Sequence, residues 1–300
     1  MKKVSISIII RSKNEEKHLE ELLLSIFNQE INKEFEVILV DDSSEDNTVK
    51  IAKKFNVKIV PLLSDKFTYG NSINRGIKEA TGEIIVLISA HVKILSKSWL
   101  NELVKPFNKD NKVSATYGRQ ISNPTINPFE FVTWNEYFPS VNMKFNSKSD
   151  SLKNLHISNA NAAYRKDFLP KKYFNENLPY AEDLLMGFIL LSKGFTINYV
   201  PKATIFHTHP IKLKNWSRKI AREVISIEMI NKLTGKVLKV NFSPIFFIFF
   251  DVISSFYDFF RYLMLFIKNR LKTSKILMIF LYFFINLKGK LLGHYYFSQI

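Results

Sequence analysis

Over roughly its first 110 residues the chain alternates short β-branched, apolar runs with helix-spaced segments, and this pattern leaves few folds open. Val4–Ile10, Phe35–Val40, Val57–Val60 and Ile84–Ile88 are runs of the kind that strands buried on both faces require. Between them Leu19, Leu22, Leu23 and Ile26 recur at three-and-four spacing, and a helix is expected over Gly70–Ala80. Asp46 or Asn47 is placed to cap another helix, carrying Val49 and Ile51. Strands alternating with helices imply crossovers, and so a mostly parallel α/β sheet with helices on both faces. Ligands in such sheets bind beyond the carboxyl ends of the strands. Asp41-Asp42 and Ser89-Ala90-His91 fall at two of those ends, which is where function is expected.

Further along, Ser114–Gln120 reads as another strand, and residues 121–155, rich in Asn, Pro, Ser and aromatics, as a long loop. Glu182-Asp183 opens a helix with Leu184, Leu185, Phe188 and Leu191, which Gly194 ends. Thr196–Val200 and Ala203–Phe206 read as two strands, followed by His207-Thr208-His209. The opening MKKVSISIII has too short an apolar run, and no small-residue cleavage site, for a signal peptide. It reads as the first strand of a cytoplasmic protein.

No cysteine is present, which excludes disulfides, thiolate zinc sites and a cysteine nucleophile. A net charge of +16 and a pI near 9.7 favour anionic partners: nucleotide phosphates, nucleic acid or an anionic membrane surface. Nucleic acid is not expected, because no helix-turn-helix or aromatic RNA-binding motif accompanies the charge.

Taken singly, each polar cluster has a bland reading. Asp42 after a buried strand can accept from a base N–H or ribose hydroxyls, or can simply shape a loop. Asp183 can serve as a general base, or can complement a helix N-terminus. His207 and His209, two apart, face one way if the strand continues and could then hold a divalent ion. Their order is more specific. SISIIIRSKNEEKHLEELLLSIFNQ, FEVILVDDSSEDNT, YGNSINRGIKEATGEIIVLISAH, TYGRQ, SNANAAYRKDF, AEDLLMGFILLSKGF and IFHTH follow one another over about residues 4–210. This succession resembles the family 2 glycosyltransferases of GT-A fold, in particular a rhamnosyltransferase-like subgroup.

The resemblance implies an inverting transferase that uses a UDP- or dTDP-linked sugar and a glycan or lipid-linked acceptor, as in bacterial surface polysaccharide synthesis. It gives Asp42 the nucleotide base, with Ile10, Arg11, Asp41, Asn74, Ser89 and Arg119 around the nucleotide sugar. It makes Asp183 the catalytic base, with Glu182 shaping its surroundings, and assigns Asn159 and Asn161 to the acceptor. Most relatives carry Asp-X-Asp where this chain has Ser89-Ala90-His91, and often Arg where it has Ile73. His91, His207 and His209 would then hold the divalent cation, Mn²⁺ rather than Mg²⁺, because hard Mg²⁺ prefers oxygen ligands. With the usual second acid missing, the alternative is a weakened nucleotide-sugar-binding or scaffold protein.

The resemblance fades after about residue 210, which sets the expected domains at 1–210 and 211–300. Asn215–Leu233 reads as a basic amphipathic helix. Residues 244–267 show apolar three-and-four spacing opposite Asp251, Ser254, Ser255, Asp258 and Arg261. Charges so placed favour a helix lying flat on a membrane over one that spans it. Ile276–Leu287 is nearly all apolar but short for a span. The extension is therefore expected on the anionic inner face of the cell membrane, with packing on the catalytic domain or in a homo-oligomer as the alternative.

Overall fold

A computed structural model of the chain describes residues 5–62, 67–147, 155–210, 213–235, 255–256, 259–260, 263–264 and 276–297. The chain divides into two units. The first comprises the residues up to Asn123, Thr133–Asn177 and Glu182–Thr208; the second comprises Pro124–Val132, Leu178–Ala181 and everything from His209 onward.

The first unit is built on strands β1 (Ile6–Ser12), β2 (Phe35–Asp41), β3 (Val57–Pro61), β4 (Ile84–Ser89), β5 (Lys93–Ile94), β6 (Val113–Ile121), β7 (Met143–Phe145), β8 (Asn161–Arg165) and β9 (Thr196–Phe206). They form one sheet in the order β3-β2-β1-β4-β8-β6-β9-β5, with β7 also paired to β9. β1 pairs in parallel with both β2 and β4, so the strand order reverses beside β1. β8 runs antiparallel to both β4 and β6, which returns β6 and its parallel partner β9 to the direction of β1. The carboxyl ends of β1, β2, β4, β6 and β9 therefore share one rim with the amino end of β8.

Period-two burial explains why these runs are strands. Ile6, Ile8 and Ile10 enter one core with Val37, Leu39, Val86 and Ile88, under helices α1 (Leu19–Phe27), α2 (Thr48–Ala52) and α4 (Trp99–Lys109). Ile9, Ile38, Val40, Ile85 and Leu87 enter the opposite core, under α3 (Tyr69–Glu79) and α6 (Glu182–Ser192). Two buried faces leave no polar side to a strand, hence the near-continuous apolar runs.

Three sequence expectations change. Residues 121–155 are not a plain loop: they contain α5 (Pro128–Tyr137) and β7, whose weak apolar periodicity was masked by turn-forming residues. β9 is one strand, not two. Pro201 lies where the β6–β9 register shifts beyond Gly118. Asn47 stands at the N-cap of α2 without a side-chain cap bond, and Asp46 supplies the acceptor, taking the backbone N–H of Thr48 at 2.9 Å.

In the second unit, α7 (Leu213–Thr234) packs on α8 (Ile276–Phe297). The approach is close because α8 presents two glycines. A Cβ on Gly289 would lie 2.6 Å from Ile220 Cβ, and one on Gly293 would lie 2.6 Å from Val224 Cβ. Gly289 and Gly293 are four apart and so stand on one helix face, a small-residue seam the sequence reading did not notice. The expected helix over 244–267 lies outside the described residues except at 255–256, 259–260 and 263–264, which are helical. Among the described residues no helix is long and apolar enough to cross a membrane.

Candidate functional site

Two loops leave the rim beside one another and clasp. The backbone N–H of Asn14 donates to Ser44 Oγ at 2.9 Å, and that of Glu45 returns to Asn14 Oδ1 at 2.8 Å. Glu15 N–H donates to Thr48 Oγ1 at 2.7 Å and Glu16 N–H to Asp46 Oδ2 at 3.0 Å. Asn14 and Ser43 both adopt left-handed backbone, with φ 54° and 53°, strain that the clasp over-determines. RSKNEE and DDSSEDNT are thus one structural device.

The clasp distinguishes the two aspartates. Both Asp41 oxygens accept from Ser44, Oδ1 from the hydroxyl at 2.6 Å and Oδ2 from the backbone N–H at 3.0 Å. Asp41 therefore shapes the loop through both of its oxygens. Asp42 Oδ2 pairs with Lys13 Nζ at 2.9 Å, whereas its Oδ1 is buried with no hydrogen-bond partner. Ser12 Oγ, one strand away, is also buried and unpartnered. Such orphaned polar atoms carry a desolvation cost that an incoming partner relieves.

Other assigned residues separate in the same way. Ile10 is fully buried in the core, so the rim receives its neighbour Arg11, whose guanidinium lies 4.9 Å from the Tyr69 ring centre. Ser89 ends β4 directly across from Arg11. The Asn74 amide is taken up inside the protein, donating to Phe174 O and Glu176 Oε1 at 2.8 Å each and accepting from Phe174 N at 2.9 Å. It anchors the 172–176 segment in place of a nucleotide. Arg119 Nε holds the carbonyl of Phe138 at 3.1 Å. Asn161, assigned to the acceptor, is fully buried: Oδ1 accepts from Trp99 Nε1 at 2.9 Å and Nδ2 donates to Ala203 O at 2.8 Å. Its amide ties α4 to β8 and β9, so no capacity is left for a substrate.

Asn159 serves the acidic pair. Its backbone N–H donates to Asp183 Oδ2 at 3.1 Å, and its Nδ2 donates to Glu182 Oε1 at 3.1 Å. Tyr164 O–H donates to Asn159 Oδ1 at 2.7 Å, which fixes the amide orientation. Ala181, just before the pair, adopts φ 59°, unusual for a residue with a Cβ. β8 begins two residues after Asn159, with Asn161 across from Ile88, which sets the pair at the rim next to Arg11 and Ser89. Burial first, and the Glu182 charge second, push the Asp183 carboxyl up to about 7; Arg11 and two backbone N–H groups act against this. A carboxylate balanced near neutrality is the property a general base requires.

The histidines form the third part. His91 Nδ1 meets Glu15 Oε1 at 2.9 Å, and His207 Nδ1 meets Gln120 Oε1 at 2.7 Å. Their Nε2 atoms are 3.0 Å apart. Each Nδ1 faces an oxygen acceptor and so carries the proton, which puts a lone pair on each Nε2. Two lone pairs at that distance call for a cation between them. Nitrogens about 2.1 Å from one ion and at right angles around it stand about 3 Å apart, so the pair fits a shared metal. In the second unit, His209 Nδ1 meets Glu130 Oε1 at 2.8 Å, the same outer-sphere arrangement. His207 and His209 lie beyond the strand, because β9 ends at Phe206. Glu15, Gln120 and Glu130 were missed, although Glu15 and Gln120 lie inside stretches the resemblance marks, SISIIIRSKNEEKHLEELLLSIFNQ and TYGRQ; Glu130 lies outside them.

Comparison with known proteins gives the class. A mannosyltransferase from Pyrobaculum calidifontis, solved with GDP-Man and Mn²⁺, superposes with a TM-score of 0.57 at 16% identity, covering 98% of this chain and 74% of that one. Residues 1–349 of S. aureus TarS, solved with UDP-GlcNAc, give 0.56 at 21% identity, covering 75% and 66%. The fold is thus GT-A, a Rossmann-like α/β sheet flanked by helices. A sequence profile described as glycosyl transferase family 2 matches residues 7–171, and the chain belongs to that family. Among its relatives, the O-antigen chain rhamnosyltransferase WbaN of Salmonella anatum is 28% identical over 188 residues, 61% of this chain and 59% of that protein. RfbN of Salmonella typhimurium, also an O-antigen chain rhamnosyltransferase, is 27% identical over 180 residues, 58% and 57%. The chain therefore spans less than two thirds of the length of these relatives.

Proposed function

We propose that the protein transfers a glycosyl unit from a UDP- or dTDP-linked sugar to a hydroxyl of a glycan or lipid-linked acceptor, inverting the anomeric centre. The observation that carries this reading is Asp183, a half-buried carboxyl raised to about 7 and fixed by Asn159 at the rim that Asp42 shares. Asp183 takes the acceptor hydroxyl proton as that oxygen bonds to the anomeric carbon and the nucleoside diphosphate departs with the electrons of the bond it breaks. Asp42 Oδ1, orphaned and buried, is the acceptor for the imide N–H of uracil or thymine, with Ser12 Oγ alongside. Arg11 stands where it can oppose charge on both the diphosphate and Asp183.

His91 and His207 are assigned to a divalent cation, joined by His209, which two residues of chain hold within about 7 Å of His207. Imidazole donors favour Mn²⁺ over Mg²⁺, and both structural relatives above were solved with nucleotide sugars, one of them with Mn²⁺. Such an ion, when bound, neutralises charge on the leaving diphosphate. A non-catalytic scaffold would have no need of a carboxyl poised near neutrality.

The test is a thermal-shift screen of UDP-, dTDP- and GDP-linked sugars with Mn²⁺. At a ligand concentration 100 times Kd the wild type gains about 2.7 kcal/mol with its donor. Asp42→Ala is expected to lose most of that shift while keeping its melting behaviour without ligand. A screen in which no nucleotide sugar shifts the wild type, or in which Asp42→Ala responds equally, overturns the assignment.

A further inference from the structure

α8 is largely apolar, yet among its described side chains only one side is covered. Its glycine face lies on α7, and Phe283 and Asn286 are buried. Phe284, Lys288, Leu291 and Tyr295, spaced four, three and four apart, form the other face and are exposed, with Phe284 and Tyr295 each 62% accessible. The helical residues at 255–256, 259–260 and 263–264 repeat this arrangement. Ser255, placed on the polar side, is buried and accepts from Lys290 Nζ at 3.3 Å, whereas Phe256, Phe260 and Met264 turn outward. Phe256 packs on Phe283, ring centres 4.8 Å apart, which joins the two surfaces. A unit that buries a lysine and a serine while exposing phenylalanines has its apolar face toward something other than water.

Charge identifies the occupant. Residues 211–300 hold fifteen Lys or Arg against four Asp or Glu, so eleven of the sixteen net positive charges lie in this last stretch. Aromatic residues interleaved with lysine are suited to the headgroup boundary of an anionic bilayer, where rings enter the acyl edge and ammonium groups meet phosphate. A self-association face would place this excess charge against its own copy. We propose that the Phe284–Leu291–Tyr295 stripe of α8, with Phe256, Phe260 and Met264, docks the protein flat on anionic phospholipid. This inference does not depend on the transfer activity.

The experiment is sedimentation of the full chain with vesicles of phosphatidylcholine alone or with phosphatidylglycerol. The wild type is expected to partition at least tenfold better onto phosphatidylglycerol vesicles, less so in high salt. Phe284→Ser/Leu291→Ser/Tyr295→Ser should lose at least tenfold in partition with an unchanged circular-dichroism melt. Should that variant misfold, Lys288→Glu, on the same exposed face, decides: several-fold weaker partition onto phosphatidylglycerol supports docking, and unchanged partition contradicts it. Wild type that ignores phosphatidylglycerol vesicles overturns the proposal. So does a dimer, seen by ultracentrifugation and abolished by the triple substitution, in a protein that binds no vesicles.

Discussion

Asp183→Asn is expected to lower kcat by about 10³-fold, within the range for removal of a general base, and at the same time to make the protein more stable at pH 7.5. The two effects have one origin. The carboxyl titrates at 3.8 in the absence of the fold and at about 7 within it, so the native state binds the proton more tightly. Its ionisation therefore costs stability as pH rises from the lower value to the upper, and above about 7 the full cost is present. Asparagine cannot ionise, but it keeps only one oxygen, so of the N–H groups of Asn159 and Leu184, which bond Oδ2 and Oδ1 separately, one loses its acceptor and offsets part of the gain. A gain of about 2 kcal/mol, or a melting temperature some 4–8 °C higher at pH 7.5 and little changed near pH 4, is expected. A structural acid would behave oppositely, its loss reducing stability. The companion change, Glu182→Gln, removes the charge that adds to burial in raising Asp183. The rising limb of the pH–rate profile, expected near 7 in the wild type, should move to lower pH.

Removing the histidine pair has the next largest effect. His91→Ala and His207→Ala are each expected to cost about 10²-fold or more in kcat/KM and to abolish a tight Mn²⁺ site detectable by electron paramagnetic resonance. Glu15→Gln leaves the ligands in place but weakens the acceptor that orients His91, so a cost of about 10-fold in Mn²⁺ affinity is expected. Chelation of the wild type should eliminate transfer, and Mn²⁺ should restore it better than Mg²⁺. Full activity after chelation would refute the assignment. In that case the short His91–His207 contact would be a shared proton.

Much of this was legible in the residues themselves. The buried strands announced themselves because both of their faces are covered, which removes the polar positions that blur other strands. The rim followed from connectivity and Asp42 from the rim, whereas Asp183 came from the resemblance. What could not be read was the division of labour among like residues. Asp41 and Asp42 are adjacent and chemically equal; only the clasp with Ser44 shows that one has both oxygens bonded and the other has an orphaned oxygen. Asn74, Asn159 and Asn161 lie in stretches that resemble the family equally well, yet Asn74 anchors a loop, Asn161 ties helix to sheet and Asn159 orients the acids. For these asparagines, hydrogen-bond partners 23 to 102 positions away decide the roles, and no local pattern contains them. α8 was obscure for a different reason. A largely apolar helix has no periodicity to show which face meets protein, and the Gly289–Gly293 seam settles it only once α7 is in view.

Incubation of the enzyme with its UDP- or dTDP-linked sugar, Mn²⁺ and acceptor, followed by proton NMR of the new glycosidic bond, is the most direct test. One nucleoside diphosphate released per bond formed, with the anomeric configuration opposite to that of the donor, is the predicted result. A product that retains the donor configuration would mean that no single displacement with Asp183 as base takes place.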